Sequence, residues 1–171
     1  MSELIDIYNQ DKQPTGKQVD REKNRLQPGE YMLYALALIQ NDKGQFLLTQ
    51  RSRDKKWAAG WWEVPGGAAK AGENSFTAMR REVWEETGID LQTPDDKPIY
   101  SYRNDDPETG DYYFCDIYLC RQNFGASDIR LQNKETIDYQ IASLEGVSIL
   151  QKVNGVLHYP RLMEALKAAN L

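Results

Sequence analysis

GAAKAGENSFTAMRREVWEETGI, Gly67 to Ile89, is the stretch on which the reading of the chain turns. Residues from about Asn74 to Thr87 suit a helix, and Gly88 is placed to stop it, because glycine adopts the left-handed conformation that ends many helices. Projected at about 100° per residue, Phe76, Met79 and Val83 form an apolar arc that can face a sheet. Glu82, Glu85 and Glu86 form an adjacent arc. Like charges at this spacing destabilise a helix by roughly 0.2–0.5 kcal/mol per pair. They also lie near the C-terminal end, where the macrodipole disfavours anions. Beside the apolar arc rather than opposite it, the carboxylates can line the edge of a cleft. Three hard oxygen ligands so placed suit Mg²⁺ or Mn²⁺, which favour carboxylates, water and substrate phosphates. A solvated acidic face is the plain alternative. Upstream, Glu73 sits just before the helix, and Gly66 and Gly67 let backbone approach a ligand closely.

The flanking segments read as strands. Tyr31 to Ile39 is an unbroken apolar run of strand length, as expected for a strand buried on both faces. NDKG then turns the chain into a second strand, QFLLTQR. SRDKKWAAGWW reads as a loop, KPIYSYR and the aromatic-rich DYYFCDIYLCR as strands, and NDDPETGD as the hairpin between them. TIDYQIA is a further strand, and ASLEGVSIL and YPRLMEALKAANL read as helices. Residues 1–30 form an N-terminal extension in which LIDIY is a short strand and DKQPTGK, with Pro14 and Gly16, its turn. Residues 31–171 form the main domain. Strands on both sides of a helix predict one α/β or α+β domain.

The 171 residues suffice for one domain with a substantial core. The formal net charge is −5 and no long basic run occurs, which argues against broad nucleic-acid binding. An acidic chain that handles anions needs metal ions or local Arg and Lys. The start lacks a basic segment followed by an apolar core, and no apolar run approaches a membrane span of about 20 residues. A cytoplasmic protein without membrane contact is expected. Cys115 and Cys120 lie five residues apart in one strand, so their side chains should point to opposite faces and stay reduced.

Gly67, Glu73, Arg81, Glu82, Val83, Glu85, Glu86, Gly88 and Ile89 stand in the register of the Nudix hydrolase signature, G-x5-E-x7-R-E-U-x-E-E-x-G-U with U aliphatic. The flanking order of elements extends this resemblance over about Tyr31 to Leu166, and the N-terminal segment resembles the subgroup related to isopentenyl diphosphate isomerase. The resemblance implies an α/β/α sandwich with a mixed β-sheet. It implies a metal-dependent hydrolase that cleaves a diphosphate linkage in a nucleoside diphosphate-linked or related small molecule, with Mg²⁺ or Mn²⁺ as cofactor. By position, Glu82, Glu85 and Glu86 would ligate metal, Gly67 would add a backbone carbonyl, and Arg81 would orient carboxylates, Glu73 among them. Glu135 is put forward as a further ligand or general base, with a solvated loop residue as the alternative. Many relatives dimerise, so a homodimer is possible.

The loop after the second strand concentrates Arg51, Arg53, Lys55 and Lys56. In the isomerase-like subgroup an Arg and a Lys at positions resembling Arg51 and Lys55 hold the substrate diphosphate, Arg as a planar fork and Lys as a point charge. A solubilising loop is the bland alternative. Trp57 and Trp61 can stack on the group attached to the diphosphate, whereas packing is favoured for Trp62. Tyr102 and Tyr113 can line a pocket or sit in the sheet. Trp61 and Tyr102 are the aromatic residues assigned to substrate. His158, the sole histidine, is given no catalytic role. An isomerase of this fold needs a Cys near Gly66 and a His-rich metal site, which this sequence lacks. A non-catalytic ligand sensor is the other rival, disfavoured by the complete signature.

Overall fold

The computed structural model describes residues 3–92, 95–131 and 134–171; Met1 and Ser2 of the extension lie outside them. The chain begins with a hairpin of β1 (Leu4–Tyr8) and β2 (Pro14–Asp20). A central mixed sheet follows, built from β3 (Met32–Gln40), β4 (Phe46–Arg51), β5 (Trp62–Glu63), β6 (Gly66–Ala68), β7 (Tyr100–Asp106), β8 (Asp111–Arg121) and β9 (Thr136–Ala142). Among the described residues three α-helices complete the fold: α1 (Ser75–Thr87), α2 (Leu144–Val153) and α3 (Tyr159–Ala168). No helix among the described residues is long and apolar enough to cross a membrane.

β3 is the pivot. It runs parallel to β8 from Met32↔Tyr113 to Gln40↔Arg121. On its other edge it meets β4 only at Gln40↔Phe46 and pairs with β6 at Tyr34 to Leu36. β4 pairs instead with β5 and β9. β3 and β4 therefore share one end and diverge, and a wedge opens between them. β3 is apolar from Met32 to Ile39 because both its faces are covered. Leu33, Ala35, Ala37 and Ile39 join the core beneath α1 and the hairpin, while Leu36 and Leu38 join the core beneath α2 and α3. The result is an α/β/α sandwich. Cys120 and Cys115 fall in these two different cores, as their spacing requires, and both are free thiols.

α1 forms where expected. Asn74 caps it by accepting from the Thr77 N–H at 2.8 Å, and Gly88, at φ 72°, ends it with its N–H on the Trp84 carbonyl. Met79 and Val83 are fully buried in its apolar arc. Two loop expectations are corrected. Pro14 and Gly16 begin β2, because the Asn9 side chain makes the turn by accepting from the Asp11 and Gln13 N–H groups. Pro14 then opens an edge strand, where its missing N–H costs little. Asn104 to Asp106 pair with β8 rather than looping, and the turn is confined to residues 107–110, where Asp106 accepts from Glu108 and Thr109.

Candidate active site

At the wedge, α1, the β5–β6 segment and β3 enclose a cavity of about 320 Å³, at the lower end of small-molecule sites. β6 brings the backbone close to α1 because it opens with two glycines. Gly66, at φ 156°, is in a conformation open to glycine, and a Cβ there would lie 2.2 Å from the Ala35 carbonyl oxygen. A Cβ on Gly67 would lie 2.6 Å from the Glu82 carboxylate, so the missing side chain is the seat of that carboxylate.

Arg81 organises the acidic wall. Its Nε and Nη2 hold Glu73 as a fork at 2.8 and 2.9 Å, and Nη2 also donates to the Ala68 carbonyl at 3.0 Å. Nη1 reaches Glu82 at 2.7 Å and Glu85 at 3.2 Å. Burial would raise the Glu73 carboxyl, but the Arg81 fork and the Lys70 N–H outweigh it and hold it below the usual range.

Glu86 is in a different situation. It is 7 % exposed, and its hydrogen bond among the described residues comes from the Gly66 N–H at 3.3 Å. Burial, and then the charges of Glu63 and Glu82, raise its carboxyl well above the ordinary range. Glu82 and Glu63 are raised as well, chiefly by burial, against the opposing pull of Arg81 and Arg51 respectively. Seven acidic side chains among the described residues line the cavity against four basic ones, so an anionic ligand needs added positive charge to enter. The oxygen-only donor set of Glu82, Glu85, Glu86 and the glycine backbone suits a hard dication. The cage is not preassembled: among the described residues, no three His, Cys, Asp or Glu side chains converge to hold a metal. Arg81 occupies Glu82 and Glu85, and Lys70 lies 3.7 Å from Glu85.

The cationic loop forms another wall. Arg51 Nη1 pairs with Glu63 at 3.0 Å, and its guanidinium stacks 5.8 Å from the Trp57 ring. Lys55 pairs with Glu135, and the Ser52 N–H donates to the Glu135 carbonyl, so these two loops meet at the cavity. Of the residues singled out from the sequence, Gly67, Glu82, Glu85, Glu86, Arg51, Lys55 and Glu135 line it together.

Trp61 and Tyr102 do not line it. Trp61 packs on Gly155, where a Cβ would lie 2.8 Å from its ring, and the stiff indole cannot serve both places. Tyr102 stands one row behind, with its hydroxyl 3.0 Å from His158 Nδ1 and the Arg161 guanidinium 4.8 Å from its ring. Trp57, 64 % exposed, and Tyr113 take the aromatic positions at the cavity. Trp62 is buried under the α2–α3 layer. Glu63, Arg21 and His158 are among the lining residues that escaped the sequence reading. Glu63 carried a signal, an acid between the alternating apolar Trp62 and Val64 just before two glycines. Arg21, which lies 5.5 Å from the Tyr34 ring and donates to its hydroxyl, comes from the hairpin. His158 arrives from the loop before α3, and no local pattern announces either.

A family model of the NUDIX domain matches residues 30–162. The chain is 30 % identical over 155 residues to an uncharacterised Nudix hydrolase of Listeria monocytogenes, spanning 90 % of this chain and 88 % of that one. It is 31 % identical over 110 residues to an isopentenyl-diphosphate Delta-isomerase of Shigella boydii, spanning 63 % of this chain and 59 % of that one. The crystal structure of a MutT protein from Methanosarcina mazei superposes with a TM-score of 0.65 at 29 % identity, over 82 % of this chain and 94 % of that one.

Proposed function

The chain belongs to the Nudix hydrolase family, and we propose that it hydrolyses the diphosphate linkage of a nucleoside diphosphate-linked or related small molecule in the cavity beside α1, with Mg²⁺ or Mn²⁺ as cofactor. One observation carries the reading. A buried Glu86 carboxylate faces Glu63 and Glu82 with one backbone N–H as its hydrogen-bond partner among the described residues, an arrangement that calls for either a proton or a cation.

Glu82, Glu85 and Glu86, with the Gly67 carbonyl, would hold the cation. When bound, it supplies charge neutralisation on the phosphate oxygens and acidifies a bound water. The remaining work belongs to the chain. Arg51 and Lys55 offer a fork and a point charge to the phosphate oxygens, once exchanged from Glu63 and Glu135. Exchange frees the Glu135 carboxylate to accept a proton from the attacking water. Arg81 keeps Glu73 and Glu82 oriented throughout.

The test is a panel of nucleotide sugars, nucleoside triphosphates, dinucleoside polyphosphates, coenzymes and prenyl diphosphates with Mg²⁺ or Mn²⁺. Phosphate release is read with and without added pyrophosphatase. Glu85→Gln and Glu86→Gln are each expected to lower kcat by roughly 10²-fold or more while the fold stays intact. Near-wild-type turnover in either variant would defeat the assignment.

The isomerase alternative, which the Shigella relative brings forward, has physical objections. Gly66 has no room for a cysteine side chain. Cys115 and Cys120 are both buried, and burial pushes each thiol up to about 12, far from a reactive thiolate. Incubation with isopentenyl diphosphate separates the readings, since double-bond migration would support the isomerase.

A further inference from the structure

We propose that His158 is a specificity-determining residue that donates an Nε2–H hydrogen bond to a polar group attached to the substrate diphosphate, such as a sugar or nucleoside. This deepens the hydrolase reading and rests on it for the place of the diphosphate.

Four observations carry the proposal. First, His158 lines the cavity from the loop entering α3, a different element from the acidic helix. The acidic helix and the cationic loop are committed to the diphosphate, so this wall is left for whatever is attached to it. Second, the ring is held in place. Its Nδ1 lies 3.0 Å from the Tyr102 hydroxyl, and the Tyr113 ring stands edge-on at 6.4 Å. Tyr102 is itself pinned from its other side by Arg161. Third, Nε2 has no hydrogen-bond partner among the described residues, while Nδ1 is taken by Tyr102, which does not line the cavity. Fourth, the backbone does not explain the residue. His158 sits at φ 58°, ψ 17°, the left-handed region, and its side chain makes no capping bond to α3. Glycine is the unstrained choice there. A side chain kept at a strained position beside a cavity is a mark of a functional site.

The chemistry follows from the partner. A phenol is the better donor to a neutral imidazole, so with Tyr102 O–H as the donor to Nδ1 the imidazole proton resides on Nε2. Burial, and then the Arg51 charge, hold the imidazole below its ordinary value, so the ring stays neutral at neutral pH. A fixed neutral N–H favours an acceptor, such as a ribose or hexose oxygen or the edge of a base. It offers nothing to a prenyl chain. Sites that hydrogen-bond a polar substrate group discriminate strongly against analogues lacking it.

The experiment uses the full, tag-free chain, in which His158 is the only histidine, so its imidazole ¹⁵N signals need no assignment. At pH 7 the ring should be the neutral Nε2–H tautomer. ADP-ribose and UDP-glucose serve as polar probes and geranyl diphosphate as the apolar one. Kinetics with Mg²⁺ are run beside calorimetric titration without it. An Asn amide can reproduce Nδ1 but not Nε2, whereas a Gln amide can reach the Nε2 position. His158→Asn should therefore raise KM for the better polar probe about tenfold with kcat little changed, and His158→Gln should recover part of that loss. KM for geranyl diphosphate should not move. His158→Gly should lose the same affinity while its Tm holds or rises, a pairing of signs that a structural role would not produce.

An Nδ1–H tautomer overturns the proposal. So does a wild-type KM in His158→Asn, or a wild-type chain that neither binds nor hydrolyses either polar probe. Calorimetric binding without hydrolysis, weakened in His158→Asn, would defeat the hydrolase reading and leave this one standing.

Discussion

Glu86 is the residue whose ionisation the fold resists. Its carboxyl is raised above the ordinary range by burial and by Glu63 and Glu82. A raised folded-state pKa means the protonated form is the stabilised one. That stability is complete below the ordinary carboxyl range and is lost as pH climbs through the folded value. In metal-free protein, Glu86→Gln should therefore melt above wild type at pH 7–8, and the gap should close below about pH 4.5. Each tenfold displacement of the ionisation is worth about 1.4 kcal/mol, and a chain of this size shifts by about 2–4 °C per kcal/mol. Added Mg²⁺ should raise the Tm of wild type and not of the variant, because only a native state that binds the ion gains from it. A pH-independent Tm difference, or an equal Mg²⁺ response, would show that Glu86 is not the repelled carboxylate of this site.

At the scale of elements, the segment from β6 to α1 depends on two glycines with different tasks. Gly66 is needed for its backbone, at φ 156° and pressed against β3. Gly66→Ala should cost about 1–3 kcal/mol from backbone strain alone, before the contact with Ala35 is counted. Gly67 is needed for the space it leaves beside Glu82. Gly67→Ala should move that carboxylate and lower kcat by about tenfold or more, with a smaller loss of stability. Urea unfolding and single-turnover kinetics on the same samples separate the two, and matching losses in both variants would refute the division of labour. The cap of α1 is a plainer case, with Asn74→Ala expected to cost about 1 kcal/mol.

The whole molecule is joined by one buried carboxylate. Asp116 on β8, 3 % exposed, accepts from Ser75 at the start of α1 at 2.6 Å and from Ser101 on β7, and it pairs with Lys12 in the turn of the N-terminal hairpin. Hairpin, helix and sheet thus meet at a single charge. Lys12→Met leaves that charge without its cation and should cost roughly 1–3 kcal/mol. The double variant Lys12→Met/Asp116→Asn should recover part of the loss, because it removes the buried charge along with its partner. Additive losses in denaturant would mean that the pair is not coupled.

Much of this was legible in the linear order of residues. Helix α1, its stop and the apolar arc of Met79 and Val83 follow from a period of 3.6 and from glycine stereochemistry, and the doubly buried β3 follows from an unbroken apolar run of strand length. So does the common side of Glu82, Glu85 and Glu86, which helix spacing sets, while their register with Gly67, Glu73 and Arg81 was legible through the resemblance to the Nudix signature. The turn at Asn9 and the strand pairing of Asn104 to Asp106 were not legible, since side-chain capping and a partner strand overrode the turn residues beside them. Nor was the far wall of the cavity. Trp57 rather than Trp61, Tyr113 rather than Tyr102, and Glu63, Arg21 and His158 reach it from segments that meet only when β3 and β4 diverge. Local sequence determines what a residue's own backbone will do and which neighbours share its face. Which distant side chains then converge, and which of Trp57 and Trp61 is consumed by packing, depends on contacts between segments remote in the chain, and those exist only in the folded state.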